Sequence, residues 1–241
     1  MSENYDFLKN PFDGLSKKDV NEIQNKCTNI AENLFFNYGI KCGNKTFRLA
    51  EIEFYYYKKE DSDINNFDAP WNKETYQRSK DAGKLFFHYS GIDICFQCHF
   101  DEKEKDNENG EFGGILIRSL IYEDNEGIKI LAGPSFCANA MLNACDEYMP
   151  RLVSVEHQHC IYDKTIRCGI HSDEKQENGI LLLCYYVTHI NNTELKWEKA
   201  SERISWDKKK RKFKKETRNY KLEIIKRKEK TIVTTQIKID S

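Results

Sequence analysis

Glu51 and Glu53 stand two residues apart in the run Phe47-Arg48-Leu49-Ala50-Glu51-Ile52-Glu53-Phe54-Tyr55-Tyr56-Tyr57. Strand-forming residues are dense there, and no Gly or Pro interrupts them, so the run reads as one β-strand. Strand side chains alternate between faces. One face carries Arg48, Ala50, Ile52, Phe54 and Tyr56 and reads as core. The other carries Leu49, Glu51, Glu53, Tyr55 and Tyr57, two carboxylates beside two phenols. A Glu and a Tyr two apart lie about 6–7 Å from one another along the strand. That spacing suits an acid working on a planar group stacked on the ring. By alternation alone, the same face reads as a solvated one.

Arg118 interrupts the apolar run Ile115-Leu-Ile. A charge in such a strand needs a partner, and Glu53 on a neighbouring strand would serve. His88 and Tyr89, in Phe86-Phe-His-Tyr, are placed to stack on a base or to contact a backbone. Ser135 follows Gly133-Pro134 without the elbow of a hydrolase nucleophile. It reads as a helix N-cap, whose backbone amides can bind a phosphate. Cys95-Phe-Gln-Cys-His99 matches the short haem-attachment pattern, and with His157, His159 or Cys160 it could hold zinc. A second Cys-x-x-Cys is missing, so these read first as thiols in or beside a core strand. No metal or cofactor is expected.

The elements that position these residues follow in order. A helix is expected from about Ser16 to Asn37, with Val20, Ile23, Cys27, Ile30 and Leu34 in an amphipathic stripe. The Glu strand comes next. Residues 58–83 are polar and irregular, a candidate functional loop. Strands are expected at Lys84–Tyr89, Gly91–Phe100 and Gly113–Tyr122, then a helix ending near Cys145. Further strands fall within 152–172 and 180–190. This order argues for an α+β fold with an antiparallel or mixed sheet, in one domain, and no phosphate-binding glycine fingerprint appears.

The chain has 241 residues and a net charge of −1, which hides a split. From Asn191 onward there are 17 Lys and Arg against 8 Asp and Glu, net +9, while residues 1–190 carry net −10. We therefore divide the chain into a body, 1–190, and a basic extension, 191–241. Lys208, Lys209, Lys210 and Arg211 form the densest basic run. Such an end is a foothold for a polyanion such as DNA, and Trp197 and Trp206 could stack on exposed bases or pack the extension onto the body. No apolar run approaches a membrane span, and no signal peptide is evident. A cytoplasmic monomer, nucleoid-associated if bacterial, is expected, with the nine cysteines as free thiols.

Taken together, these stretches resemble the alkyladenine (3-methyladenine) DNA glycosylases. The quoted matches are Arg48-Leu-Ala-Glu51-Ile-Glu53-Phe-Tyr55, Phe86-Phe-His-Tyr-Ser-Gly91, Ile115-Leu-Ile-Arg118-Ser-Leu120, Leu131-Ala-Gly133-Pro134-Ser135-Phe, and Arg167-Cys-Gly169-Ile170 with Tyr185-Tyr-Val187. They occur in family order over roughly residues 45–190. The resemblance implies the methylpurine glycosylase fold, akin to the C-terminal domain of methionyl-tRNA formyltransferase. It implies a base flipped from DNA and cut by a water that Glu53 activates and Arg118 helps hold, leaving an abasic site. Tyr55 would stack on the base. His88 replaces an aromatic stacking residue, Gln97 falls near a purine-screening Asn, and the residue wedged into DNA falls near Tyr89 or Ser90. No Lys stands where a Schiff base would form, so the enzyme would be monofunctional. The base-contacting His expected after the Glu strand is missing from residues 56–83. The water-activating pair is thus kept while the pocket wall differs. The substrate is then either a damaged purine or a bulky modified base of phage DNA, such as glucosylated hydroxymethylcytosine. Two other readings are a non-catalytic nucleic-acid-binding protein on the same fold and a cysteine-based metal or redox protein.

Overall fold

A computed structural model describes residues 4–15, 19–59, 64–67, 81–88, 91–98, 111–125, 127–165, 182–195, 197, 200–207 and 212–219. Two α-helices lie among strands paired antiparallel. Helix α1 (Val20–Asn37) buries Ile23, Cys27, Ile30, Ala31, Leu34 and Phe35. Their spacing of three and four residues puts them on one side of the cylinder. The predicted stripe is therefore the packed one. Asp19 precedes the first helical residue, and Ser16 lies outside the described residues.

Strand β1 (Tyr38–Cys42) follows the helix directly and folds back on β2 (Lys45–Lys59) through a tight turn at Gly43 and Asn44. No strand is expected from the sequence between the helix end near Asn37 and the Glu strand, where β1 lies. The Gly-Asn pair between two strand-forming runs was the available hairpin signal. β2 then pairs with β3 (Ile64–Phe67), so the polar stretch 58–83 begins as a hairpin. Residues 68–80 lie outside the described residues.

Strands β4 (Leu85–His88), β5 (Gly91–Cys95), β6 (Glu111–Asp124) and β7 (Gly127–Ala132) precede helix α2 (Pro134–Asn143). β8 (Arg151–Ser154), β9 (Cys160–Thr165), β10 (Cys184–Ile190) and β11 (Thr193–Glu194) complete the main sheet. Its central order is β10-β2-β6-β5-β4, with β9 and β11 beyond β10. A separate hairpin joins β12 (Ala200–Asp207) to β13 (Lys212–Asn219), with Trp206 opposite Phe213 in the register. The architecture is mixed α and β with a mostly antiparallel sheet, as the sequence indicates.

The two helices take opposite faces of this sheet. Ile52, Phe54 and Tyr56 of β2 lie in the core with Phe12, Phe96 and Tyr185, whose rings meet at 4.9–6.4 Å between centroids. α1 covers this side, with the Gln24 side-chain amide donating to the Tyr185 hydroxyl. The opposite face is covered by α2, which packs on β5, β6 and β7. Packing also continues past residue 190. Leu195 is buried, and Trp197 stands edge-on to Tyr186 and donates its indole N–H to the Val187 carbonyl at 3.1 Å. Trp197 therefore anchors the start of the basic extension to the body.

Candidate active site

The face under α2 carries a row of polar side chains that crosses the sheet. Thr165 of β9 opposes Cys184 of β10, which opposes Glu53 of β2. Glu53 opposes Leu116 of β6, Leu116 opposes Asp93 of β5, and Asp93 opposes Phe86 of β4. Residues directly opposite in antiparallel strands point to one side. Thr165, Cys184, Glu53 and Asp93 are each 2 % exposed or less. Leu116, between the two carboxylates, is half-buried. The solvated face that alternation allowed is thus an interior one.

Arg118 reaches this row through a break in the ladder. From Arg48 opposite Ile121 to Lys58 opposite Glu111 the register of β2 on β6 is constant, except at one place. There Glu51 pairs with Ser119 and Ile52 with Ile117, which leaves Ala50 and Arg118 as extra residues on facing strands. Bulges of this kind re-aim a side chain. The Arg118 guanidinium lies between the two glutamates, Nε 3.2 Å from Glu51 Oε1 and Nη1 3.3 Å from Glu53 Oε2. Glu51 also accepts from the Ser119 hydroxyl at 3.0 Å and faces the Cys184 thiol at 3.3 Å. Buried carboxylates require such partners, because burial without them costs several kcal/mol per ion.

The same bulge anchors α2. The Arg118 carbonyl accepts the Gly133 N–H at 2.8 Å, and the Cys137 thiol approaches it at 3.6 Å. Gly133 precedes the helix with φ of +110°, a conformation that side chains resist. Pro134 then supplies the first helical residue, whose missing N–H costs nothing there. The predicted N-cap at Ser135 is corrected accordingly. Ser135 lies inside the first turn, exposed, with its backbone already helical. Burial pushes the Cys137 thiol well above its ordinary range, so it acts as packing and a weak donor.

A cavity of about 390 Å³ opens between the start of α2 and the β4–β5 end of the sheet. His88 and Phe87 line one side, and Ser135, Asn139 and Leu142 the other, with Gly91 beneath. A Cβ placed on Gly91 would stand 2.8 Å from Pro134 Cβ and 3.2 Å from Leu116 Cδ1, so a glycine here lets the start of α2 pack down on the sheet. His88 Nε2 lies 3.1 Å from Asp93 Oδ1, and Asp93 Oδ2 accepts the Tyr55 hydroxyl at 2.8 Å. A chain of polar contacts therefore runs from the cavity wall into the row that holds Glu53.

His88 and Ser135 line this cavity, Tyr55 is linked to His88 through Asp93, and Glu53 and Arg118 lie further along the sheet, buried and outside the cavity lining. Tyr55 is 5 % exposed and its hydroxyl is committed to Asp93, so it presents little open ring to a base. Gln97 is not brought in. It stands beyond the far end of β5 from His88, where its backbone bonds Leu8 and Asn10. Tyr89, and Lys208, Lys209, Lys210 and Arg211 between β12 and β13, lie outside the described residues. Cys95 and Cys98 are buried, and burial pushes the Cys98 thiol up, opposite to what a thiolate ligand requires. No family model, curated protein or solved structure matches the chain. The resemblance therefore rests on its motifs, and the function on this geometry. Asp93 was missed in the sequence. Its signal was of the same kind as that of Arg118, a charge enclosed by apolar residues in Ile92-Asp93-Ile94.

Proposed function

We propose that the chain is a monofunctional DNA glycosylase, of the kind the motifs resemble, which hydrolyses an N-glycosidic bond in DNA. The observation that supports it is the Glu51–Arg118–Glu53 fork, held at facing bulges beside half-buried Leu116. A flipped nucleotide seated over Leu116 has Glu53 at one flank. Glu53 takes a proton from water as the water attacks the sugar C1′, and Arg118 fixes the carboxylate that receives it. The departing base leaves positive charge on the sugar. Among the described residues, Glu51, Glu53 and Asp93 share this face of the sheet with Arg118, and carboxylates near the sugar lower the energy of that cation. The chemistry calls for no cofactor.

DNA is the proposed partner, held by the basic stretch that follows Trp197. The extruded base is a modified one, either a damaged purine or a bulky phage-type cytosine. A Glu53→Gln variant should bind the same DNA as wild type and release no base. Base release is measured by mass spectrometry from alkylated, deaminated and glucosylated DNA. If wild type binds these DNAs and frees no base from any, the reading as a nucleic-acid-binding module replaces this one.

A further inference from the structure

We propose that Cys42 and Cys145 form a redox-active thiol pair, which a hydroperoxide converts into a disulfide joining the β1–β2 turn to the end of α2. Both are free thiols in the structure. Cys42 is the last residue of β1 and is fully buried. Cys145 follows the last residue of α2 by two and is half-buried. Their side chains are hydrogen-bonded to one another. The two backbones also meet beside the pair. Gly43, next to Cys42, turns with φ of +53°, and a Cβ there would stand 2.6 Å from the Ala144 carbonyl oxygen and 3.2 Å from Asp146 Oδ2. The residues on either side of Cys145 thus rest on the residue that follows Cys42. A disulfide demands such an approach, because it spans only about 4.4–6.8 Å between Cα atoms.

Unequal access sets this pair apart. Of the eight described cysteines seven are buried, and Cys145 is the half-buried one. Cys95 and Cys98 also feel one another's charge, but both are buried away from an oxidant. Oxidation follows exposure, so a peroxide meets Cys145 first. The Cys145 thiol donates to the Met141 carbonyl at 3.1 Å, and its backbone N–H to the Leu142 carbonyl at 3.2 Å. These bonds hold its sulfur at the helix end, with buried Cys42 on the inner side. Cys42, kept protonated by burial and by its contact with Cys145, is the resolving partner.

The conversion is a two-electron oxidation. Hydrogen peroxide transfers one oxygen to the Cys145 sulfur and leaves as water, which produces a sulfenic acid. The Cys42 sulfur then attacks the Cys145 sulfur. The S–O bond breaks, and the departing hydroxide takes the Cys42 proton to form a second water. Two thiols and one peroxide become one disulfide and two waters. The consequence falls on α2, which packs on β5, β6 and β7 and contributes Ser135, Asn139 and Leu142 to the cavity. The disulfide ties its end to β1, a strand paired on both sides, with β2 and with β8. It also closes the long loop from residue 42 to residue 145, the case in which a cross-link restrains the unfolded chain most.

The test treats the purified, reduced full chain with a small excess of hydrogen peroxide. Thiols are counted in denaturant, and unreduced digests are mapped by mass spectrometry. Two of the nine thiols should disappear, accounted for by a Cys42–Cys145 cross-linked peptide. The melting temperature should rise by roughly 5–10 °C, and amide exchange in Pro134–Asn143 should slow. Dithiothreitol should reverse all of these changes. Cys145→Ser should form no cross-link and show no thermal shift under the same treatment. Cys42→Ala should instead accumulate a sulfenic acid at Cys145, trapped by dimedone, a readout that a mere packing role for Cys42 would not move. If Cys42→Ala fails to fold, wild type and Cys145→Ser carry the decision. Treated wild type without the Cys42–Cys145 peptide overturns the inference, whether its thiols stay reduced, take up oxygen alone or pair elsewhere. Base release enters none of these readouts, so the outcome is independent of the glycosylase reading.

Discussion

Tyr55 reaches Asp93 by lying across Gly114. A Cβ on Gly114 would stand 2.6 Å from the Tyr55 hydroxyl oxygen and 2.9 Å from the Ile94 carbonyl. Gly114 is opposite Tyr55 on one side and Cys95 on the other. The missing side chain is therefore a channel through which one strand's phenol contacts the next strand but one.

Closing that channel should cost about as much as removing the bond it permits. Gly114→Ala overpacks a buried site and is expected to destabilise by about 1–3 kcal/mol. Tyr55→Phe removes one hydrogen bond to a charged group, worth about 1.5–3 kcal/mol at most, and leaves the ring in place. Urea unfolding of the two single variants and the double variant checks this. Strong non-additivity is expected, because Gly114→Ala already displaces the Tyr55 hydroxyl.

Arg118→Met should destabilise by about 3–5 kcal/mol, because it leaves two buried carboxylates facing one another without their cation. The variant Arg118→Met, Glu51→Gln, Glu53→Gln should recover much of that loss, since no uncompensated charge remains. If the single Arg118 variant melts within a degree of wild type, the fork carries no such electrostatic demand.

The position of Trp197 decides where the chain can be cut. Truncation after residue 199 removes 15 of the 17 Lys and Arg that follow Asn191 and spares Trp197 and its bond to Val187. That variant should keep the native melt, bind DNA more weakly and show a shallower dependence of affinity on salt. Truncation after residue 190 also strips Leu195 and Trp197 from the core, and should cost about 3–5 kcal/mol for the tryptophan alone. Binding measured at several salt concentrations, beside thermal melts, separates the two effects.

Buried thiols and phenols set the response to alkali. Burial pushes Cys42 up to about 12 and Cys160 to about 11, and drives Tyr56 and Tyr185 above their ordinary range. These groups keep their protons longer in the folded chain than in the unfolded one. Their contribution is intact below the ordinary thiol value of 9.0 and is lost as pH rises toward 11 and 12. The urea midpoint should hold from pH 7 to 8.5 and fall steadily above 9. Cys42→Ala combined with Cys160→Ala should flatten that fall. At pH 8 a thiol-specific reagent should label the described cysteines slowly in the native protein, half-buried Cys145 first.

Much of the site was legible because its residues violate their local pattern. Two glutamates on one face of an aromatic strand and an arginine in an apolar strand are visible without coordinates. That this face is interior was not legible, because its cover is α2 and its cation comes from β6. The offset of Ala50 against Arg118 left no trace in residue types, since the register on either side is the same. Among the strands, β3, β11, β12 and β13 were missed, and so were β1 and β7. Each of the last two is short, carries lysine and lacks clean alternation, so pairing with a longer neighbour decides its conformation. Ser135 was misassigned because a serine beside a proline satisfies the cap preference. The positive φ that ends the loop needed Gly133 instead.

The central place of β2 in space is matched by a late place in time. Glu51 meets Arg118 67 residues downstream and the Cys184 thiol 133 residues downstream. A growing chain therefore presents this long aromatic strand before either of its inner neighbours has been made, the circumstance in which strands pair with the wrong partner. Until then the two carboxylates keep one side of the strand hydrated and mutually repellent, as gatekeeper charges do. The arrival of β6 brings the guanidinium that lets both be enclosed. Glu53, proposed to activate water, would thus also guard the nascent chain against aggregation, together with Glu51.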